Sequence, residues 1–339
     1  MNGVWTTALA IISTIMGGGI VSIPYAYAVE GIGIGITIQI CVITAIWISC
    51  ILYLQTRLIL RCNTTFGEIA SLCLGSVSGI VLNLLIVFAI FGIMALYMIL
   101  FSEIAISLVG SGKEESFLSH KLFYVCLLSL FISPIIVRKR IQELKISTYV
   151  LFIGVICLIS LLTILLIVNG SYDYRIEQGI IEPKVVVVDD EEKIGTFEGI
   201  MDSVNIAVAS QGFVIALFPI YSSMASTARP KVMTSVSTAL FFTMTIYTYL
   251  SFISISYFGQ ENIKPSIFVN IQDQEGIASI LLRILFMMIF FCNIPFVFFA
   301  GKVALLAVVQ EIFYSKSEAD NAVEPSQEEG FTRATSETI

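Results

Sequence analysis

The amino-acid sequence predicts an all-α polytopic membrane protein, and two observations carry this prediction. Hydrophobic residues make up 57% of the 339 residues and charged residues only 13%, whereas a soluble domain carries about 25% charged residues. Apolar runs long enough to cross about 30 Å of hydrocarbon also recur along the chain. The chain is therefore predicted to cross a membrane several times.

About eight apolar runs are present, and each is predicted to form one spanning helix within a transmembrane domain over residues 1–312. The predicted spans are residues 4–28, 31–54, 80–109, 121–137, 147–168, 201–221, 233–258 and 277–300. The segment 170–198 is predicted to be an extracytosolic loop. The tail 315–339 is rich in Glu and Ser and low in apolar residues, which predicts a disordered cytosolic segment.

Lysine and arginine lie mainly on one side of the predicted spans, and this asymmetry predicts the orientation. That side carries Arg57, the cluster Arg138-Lys139-Arg140, Arg229 and Lys302, so both termini are predicted to be cytosolic. The glycosylation sequon that begins at Asn169 then lies outside the cytosol. The alternative, that the first span is a cleaved signal peptide, is disfavoured because the run is too long and lacks a positive start.

The first and sixth predicted spans are both interrupted by residues that form poor helices. The first reads STIMGGGIVSIPYAYAVEG, with Gly17-Gly18-Gly19 and Pro24, and the sixth contains Gln211-Gly212 and Pro219. In lipid, backbone that leaves a helix must be buried in protein or line a watery cavity. Broken helices in corresponding positions of two halves are typical of a transporter's binding site. The alternative is that these glycines permit close helix packing.

The quoted segment resembles the first span of the amino acid/auxin permeases, which include neutral and fungal vacuolar amino-acid transporters. TFGEIASLCLGSVSG, ILFSEIAI and LFPIYSSM, which begin at residues 65, 99 and 217, resemble later segments of that family. The resemblance implies a leucine-transporter-like fold of two inverted repeats. With about eight spans the second repeat would lack its last helices. Three alternatives follow: the sequence is an incomplete chain, a membrane partner replaces the missing helices, or the shortened protein no longer transports.

The resemblance also implies a function, namely secondary active transport of amino acids by alternating access, coupled to protons or to sodium. The expected membrane is vacuolar or plasma membrane, and the expected partners are an amino acid, the coupling ion and lipid, without nucleic acid or a cofactor. A non-transporting amino-acid sensor with the same binding site is the alternative. An enzyme is not supported, because no HExxH or GxSxG motif is present.

The interrupted spans supply the candidate substrate-binding residues. Amides at the start of the half-helix after the glycines suit a carboxylate, while carbonyl and hydroxyl oxygens beside the breaks suit an ammonium group. Side chains of the third and sixth spans would complete a pocket. The candidates are Thr14, Ile15, Gly17, Gly18, Gly19, Ile20, Tyr97, Ser210, Gln211, Gly212 and Phe213.

Four further residues are candidates for ion coupling. Sodium-coupled relatives that resemble this chain carry Asn in place of Ser13 and Thr near Asn293, so oxygen ligands for sodium persist in exchanged form. Glu103 is the only acid well inside a predicted span, and Arg283 lies at a similar predicted depth. A Glu103–Arg283 ion pair is therefore expected, either as a proton-linked gate or as a fixed structural pair.

Overall fold

The structure is a computed structural model that describes residues 3–60, 65–109, 120–136, 145–179, 196–272, 274 and 276–323. Throughout these ranges the regular structure is helical, without a strand. The prediction of an all-α polytopic membrane protein is confirmed.

Thirteen α-helices and three short 3-10 helices make up the described chain. The α-helices are α1 (Val4–Ile15), α2 (Gly19–Glu30), α3 (Ile32–Leu60), α4 (Phe66–Leu74), α5 (Ser76–Val109), α6 (Lys121–Ile136), α7 (Lys145–Asn169), α8 (Tyr172–Glu177), α9 (Phe197–Ser210), α10 (Leu217–Ser223), α11 (Val232–Phe258), α12 (Ile267–Gln272) and α13 (Ile277–Val323). The 3-10 helices are Phe213–Ala216, Arg229–Lys231 and Gln260–Asn262.

Among the described residues, six helical segments are long and apolar enough to cross a membrane, and α1 with α2 forms a seventh that is bent by 66°. The remaining predicted span, 121–137, corresponds to α6, a shorter apolar helix. Eight spans therefore stay a prediction. Large apolar side chains such as Phe88 and Leu130 are exposed on the outer surface, where lipid would cover them.

The two polar segments differ from the sequence-based expectation where they are described. The predicted loop 170–198 begins with the short helix α8, and residues 180–195 lie outside the described ranges. The C-terminal helix α13 continues to Val323, into the segment that was predicted to be disordered from residue 315. Residues 324–339 lie outside the described ranges.

The interruptions predicted at Gly17-Gly18-Gly19 and Gln211-Gly212 are breaks in the helices, whereas Pro24 lies inside α2 and Pro219 inside α10. The first break separates α1 from α2 at residues 16–18, and the second separates α9 from α10 through Gln211, Gly212 and the 3-10 helix Phe213–Ala216. The half-helix α2 packs mainly against α9 and α11, and α1 packs mainly against α11 and α7. The two broken spans therefore lie together, with α5 and α13 packed against each other beside them.

Candidate functional site at the break between α1 and α2

A cavity of about 180 Å³ lies against both broken spans. Its wall is formed by the end of α1, the start of α2, the end of α9, the 3-10 helix after it, α5 and α13. Seven of the residues predicted to bind substrate line it, namely Thr14, Ile15, Gly18, Gly19, Tyr97, Ser210 and Gly212. The structure thus brings the two glycine-containing breaks to one cavity.

Four other predicted substrate residues do not line this cavity. Gly17, Ile20, Gln211 and Phe213 are all fully or almost fully buried elsewhere in the packing. The Ile20 amide donates to the Gly17 carbonyl oxygen at 3.4 Å, because it already belongs to the first turn of α2. The Gln211 side-chain amide is buried with no hydrogen-bond partner among the described residues.

Two tyrosine hydroxyls bind the backbone of the first break. The Gly18 N–H donates to the Tyr97 hydroxyl at 2.9 Å, and the Tyr247 hydroxyl donates to the Ile15 carbonyl oxygen at 3.0 Å. The sequence predicted a free amide and a free carbonyl at these positions, and this part of the prediction is wrong in the described state. Buried backbone groups rarely lack a partner, and the two tyrosine hydroxyls supply these partners.

The three consecutive glycines have different surroundings. A Cβ atom on Gly17 would lie 1.9 Å from the Tyr97 hydroxyl oxygen, and one on Gly19 would lie 2.3 Å from Ser210 Cβ and 2.9 Å from Ser210 Cα. A Cβ atom on Gly18 would meet nothing closer than Tyr97 Cε1 at 3.2 Å. Gly17 and Gly19 are therefore required for close packing, although Gly19 also lines the cavity, whereas Gly18 lines the cavity without such a close contact.

This difference predicts that Gly19→Ala destabilises the protein more than Gly18→Ala. The added methyl group of Gly19→Ala would press against the backbone of Ser210 and push α2 away from α9. Overpacking of this kind costs about 1–3 kcal/mol. Thermal unfolding of the two purified variants in one detergent measures the difference, and an equal loss in both would show that α2 can shift freely against α9.

The rest of the cavity wall is apolar. Branched and aromatic side chains from α5, α9, the 3-10 helix and α13 line it, namely Ile90, Ile93, Leu96, Ile206, Ile215, Phe296 and Val297. No described residue with a charged side chain lines the cavity. A charged ligand side chain would lose its hydration here without gaining a partner, which is costly. The cavity therefore suits an uncharged side chain beside the polar break.

Asn293 of α13, a candidate for ion coupling, lies next to the same break. Its Nδ2 atom donates to the carbonyl oxygens of Ser13 and Met16, each at 3.0 Å. Its Oδ1 atom is buried without a hydrogen-bond partner among the described residues, and the Ser13 hydroxyl donates to the Thr148 carbonyl oxygen at 3.4 Å. Two carbonyl oxygens that could coordinate a cation thus accept an amide donor instead.

The expected ion pair between Glu103 and Arg283 is not formed. Glu103 instead forms a salt bridge with Lys121 at 2.7 Å, and 35% of its side chain is exposed. Arg283 donates to the carbonyl oxygens of Ser107, Gln272 and Gln274, at 3.2, 2.9 and 3.4 Å. Their positions along the predicted spans placed both residues at a similar depth in the membrane. Depth alone does not show which neighbouring helix a side chain faces.

Sequence reasoning missed the apolar residues of the cavity wall and two polar residues of the site, Ser22 and Tyr247. Ser22 lines the cavity one helical turn after Gly18, and this position follows from helical spacing once Gly18 is placed. Tyr247 of α11 has no sequence signal, because it is one of several aromatic residues in a uniformly apolar span. Its role depends on the contact between α11 and α1, which only the tertiary structure supplies.

Comparisons with known proteins agree with this architecture. The family model described as "Transmembrane amino acid transporter protein" matches residues 2–333. Vacuolar amino acid transporter 7 of Saccharomyces cerevisiae is 21% identical over 252 residues, which cover 71% of this chain and 48% of the relative. The chain thus spans about half the length of this curated relative. The predicted family is confirmed, and the chain belongs to the transmembrane amino acid transporter family.

Proposed function

We propose that the chain transports neutral amino acids by alternating access, with the cavity at the first break as the substrate site. One observation carries this proposal. The cavity joins the polar backbone of two broken helices to an apolar wall without a charged side chain. A free amino acid presents a charged carboxylate and ammonium group at one end and, in the neutral class, an uncharged side chain at the other. The two regions of the cavity match these two ends.

The amide of Gly18 is the group proposed to bind the substrate carboxylate. It lies at the start of α2, where the partial positive charge of the helix dipole favours an anion. In the structure this amide donates to the Tyr97 hydroxyl. A carboxylate would replace or share that hydrogen bond and could also accept a proton from the same hydroxyl. Tyr97 therefore keeps the amide satisfied until substrate arrives.

Two hydroxyl groups that line the cavity, Thr14 on α1 and Ser210 at the end of α9, suit the ammonium group. Thr14 donates its hydroxyl proton to the Ala10 carbonyl oxygen at 2.8 Å, and Ser210 donates to the Ala207 carbonyl oxygen at 2.8 Å. Each hydroxyl oxygen keeps lone pairs that can accept from a cation. Because both residues line the cavity, they complement the carboxylate site at Gly18.

Protons rather than sodium ions are proposed to couple transport. A sodium ion at Ser13 and Asn293 would need oxygen ligands directed at one point. The two carbonyl oxygens there accept hydrogen bonds from Asn293 Nδ2, so a bound cation would have to displace or turn the amide. This supports proton coupling within the proposal.

Uptake into proteoliposomes tests the proposal. Purified protein should accumulate labelled leucine when a pH gradient is imposed, and replacing sodium with choline should change the rate by less than about twofold. Unlabelled neutral amino acids should compete, whereas lysine and glutamate should not, because the wall offers their side chains no partner. Uptake that requires sodium would overturn the coupling, and strong competition by lysine would overturn the substrate class.

The proposal also includes an orientation, with both termini in the cytosol. The proposed location is the vacuolar or the plasma membrane, and the name of the yeast relative supports the vacuolar membrane. The exposed Asn169 would then lie on the extracytosolic side. Expressed in a glycosylating cell, Asn169 should carry a glycan, and Asn169→Gln should remove the corresponding mass shift on a gel. The sequon at Asn63, outside the described residues, should stay unmodified, and a glycan there would invert the orientation.

A further inference from the structure

The far end of α2 buries a carboxyl group that the proposed transport cycle does not yet use. Glu30 is the last residue of α2, and only 5% of its surface is exposed. Both of its carboxyl oxygens are buried, and neither has a hydrogen-bond partner among the described residues. Buried polar atoms in native proteins are nearly always paired. An unpaired buried carboxyl group therefore requires an explanation, and a bound proton is one.

The surroundings of Glu30 disfavour its ionised form. A buried carboxylate without a partner loses the hydration that stabilises its charge. Glu30 also lies at the C-terminal end of α2, where the helix dipole is negative and a further negative charge is unfavourable. A neutral carboxyl group has neither penalty, so burial of Glu30 and binding of a proton favour each other.

The elements packed against α2 offer little compensating positive charge. They are α3, α9, α11, α12 and the 3-10 helix Gln260–Asn262. Their titratable or charged side chains, with those directly flanking them, are Cys41, Cys50, Tyr53 and Arg57 of α3, Glu198 and Asp202 of α9, Tyr247, Tyr249 and Tyr257 of α11, Lys231 before α11, Glu261 of the 3-10 helix and Lys264 before α12.

No described cation donates a hydrogen bond to either Glu30 oxygen. Arg57 and Lys231 belong to the opposite end of the bundle, because Arg57 follows the start of α3 at Ile32 by roughly 40 Å of helix. Lys264 is exposed and forms no hydrogen bond with either Glu30 oxygen. The nearby acids would oppose a negative charge on Glu30.

The same end of α2 forms hydrogen bonds with α3, α11 and the 3-10 helix Gln260–Asn262. Gln260 Nε2 donates to the Ala28 carbonyl oxygen at 2.8 Å, and the Tyr27 hydroxyl is hydrogen-bonded to Gln39 of α3 and to Thr248 of α11. These contacts hold α2 closed against the bundle while Glu30 is buried. If α2 swung outward, they would break and Glu30 would meet water.

We propose that Glu30 is a proton-binding site whose occupation permits α2 to close the extracytosolic side of the cavity. When α2 is open, Glu30 is hydrated and exchanges its proton with extracytosolic water. Closing α2 buries the carboxyl group, so the closed state forms with the proton bound on a carboxyl oxygen. This inference rests on the proposed function, since it assumes that α2 moves during alternating access.

The test compares Glu30→Gln with Glu177→Gln, the same change at an exposed carboxylate at the end of α8. Exchange of labelled for unlabelled leucine is measured in proteoliposomes with equal pH on both sides, between about pH 5 and pH 8. Wild-type exchange should slow as pH rises, by up to about tenfold per pH unit once the carboxyl group titrates. Glu30→Gln should vary by less than about twofold over this range, while Glu177→Gln should follow the wild type.

Thermal unfolding of the same purified proteins is a readout that needs no transport. A carboxyl group that is neutral in the folded protein binds a proton more tightly there than in the unfolded chain, so stability falls as pH rises. The midpoint of wild-type unfolding should therefore fall with pH more steeply than that of Glu30→Gln. If the wild type does not exchange leucine at any pH, the proposed function fails. The pH dependence of the unfolding midpoint still tests whether Glu30 binds a proton in the folded protein. Parallel pH dependence in wild type and Glu30→Gln would overturn the inference.

Discussion

Gly18→Val is expected to abolish amino-acid binding while leaving the protein folded in the membrane. The valine side chain would project from the cavity wall towards Tyr97, whose Cε1 atom lies 3.2 Å from the Cβ position, and would block approach to the Gly18 amide. Loss of one charge-assisted hydrogen bond costs about 1.5–3 kcal/mol, which corresponds to roughly ten- to hundredfold weaker binding before any steric penalty. Equilibrium binding of labelled leucine to the purified variant measures the loss.

Gly92→Val is the matched control for this variant. Gly92 also lies in an apolar helix, but a Cβ atom there would meet nothing within 4 Å. Both substitutions add the same apolar bulk, so both variants should insert in near-normal amounts. Only Gly18→Val should lose binding. If Gly18→Val is well inserted and binds leucine as the wild type does, Gly18 is a packing glycine and the assigned substrate site is wrong.

Asn293→Ala is expected to give the largest loss of stability among the site variants. The change removes the donor that two backbone carbonyl oxygens share, those of Ser13 and Met16. Each buried acceptor left without a donor costs about 1–3 kcal/mol, so unfolding should become easier by about 2–6 kcal/mol in total. Denaturation of the purified protein, followed by the loss of helical circular dichroism, measures this difference.

Asn205, which is exposed on α9, is the site of the control substitution. The effect of sodium on the stability of the wild type is a second test. Asn205→Ala should change stability by less than about 0.5 kcal/mol, as exposed substitutions usually do. Replacing sodium with choline should leave the wild type equally stable, because Asn293 already satisfies the two carbonyl groups. A marked stabilisation of the wild type by sodium would contradict the assigned donor and restore the alternative of a sodium site.

The sequence was sufficient for the fold class and for the location of the breaks. Long apolar runs can only be accommodated as spanning helices in lipid, and Gly17-Gly18-Gly19 and Gln211-Gly212 interrupt two of them. These are local properties of the chain, and most of the residues placed at the cavity follow from them. The family followed from the same segments, because the first-span motif contains the residues of the break.

The sequence did not predict which side chains contact each other between different helices. Glu103 and Arg283 were expected to pair from their depth alone, but helix rotation directs Glu103 to Lys121. Tyr97 and Tyr247 satisfy the break because α5 and α11 pack beside it. Glu30 gave no sequence signal because an acid at the end of a span is ordinarily solvated. Only the structure reveals its burial.

Counterflow of leucine tests the central claim most directly, because it requires alternating access but no coupling ion. Proteoliposomes loaded with unlabelled leucine and diluted into labelled leucine should take up label transiently above the external concentration with the wild type. Gly92→Val should behave alike, and Gly18→Val should match protein-free liposomes. Purified wild-type protein that binds leucine at the Gly18 site yet gives no counterflow would contradict transport and identify the chain as an amino-acid sensor.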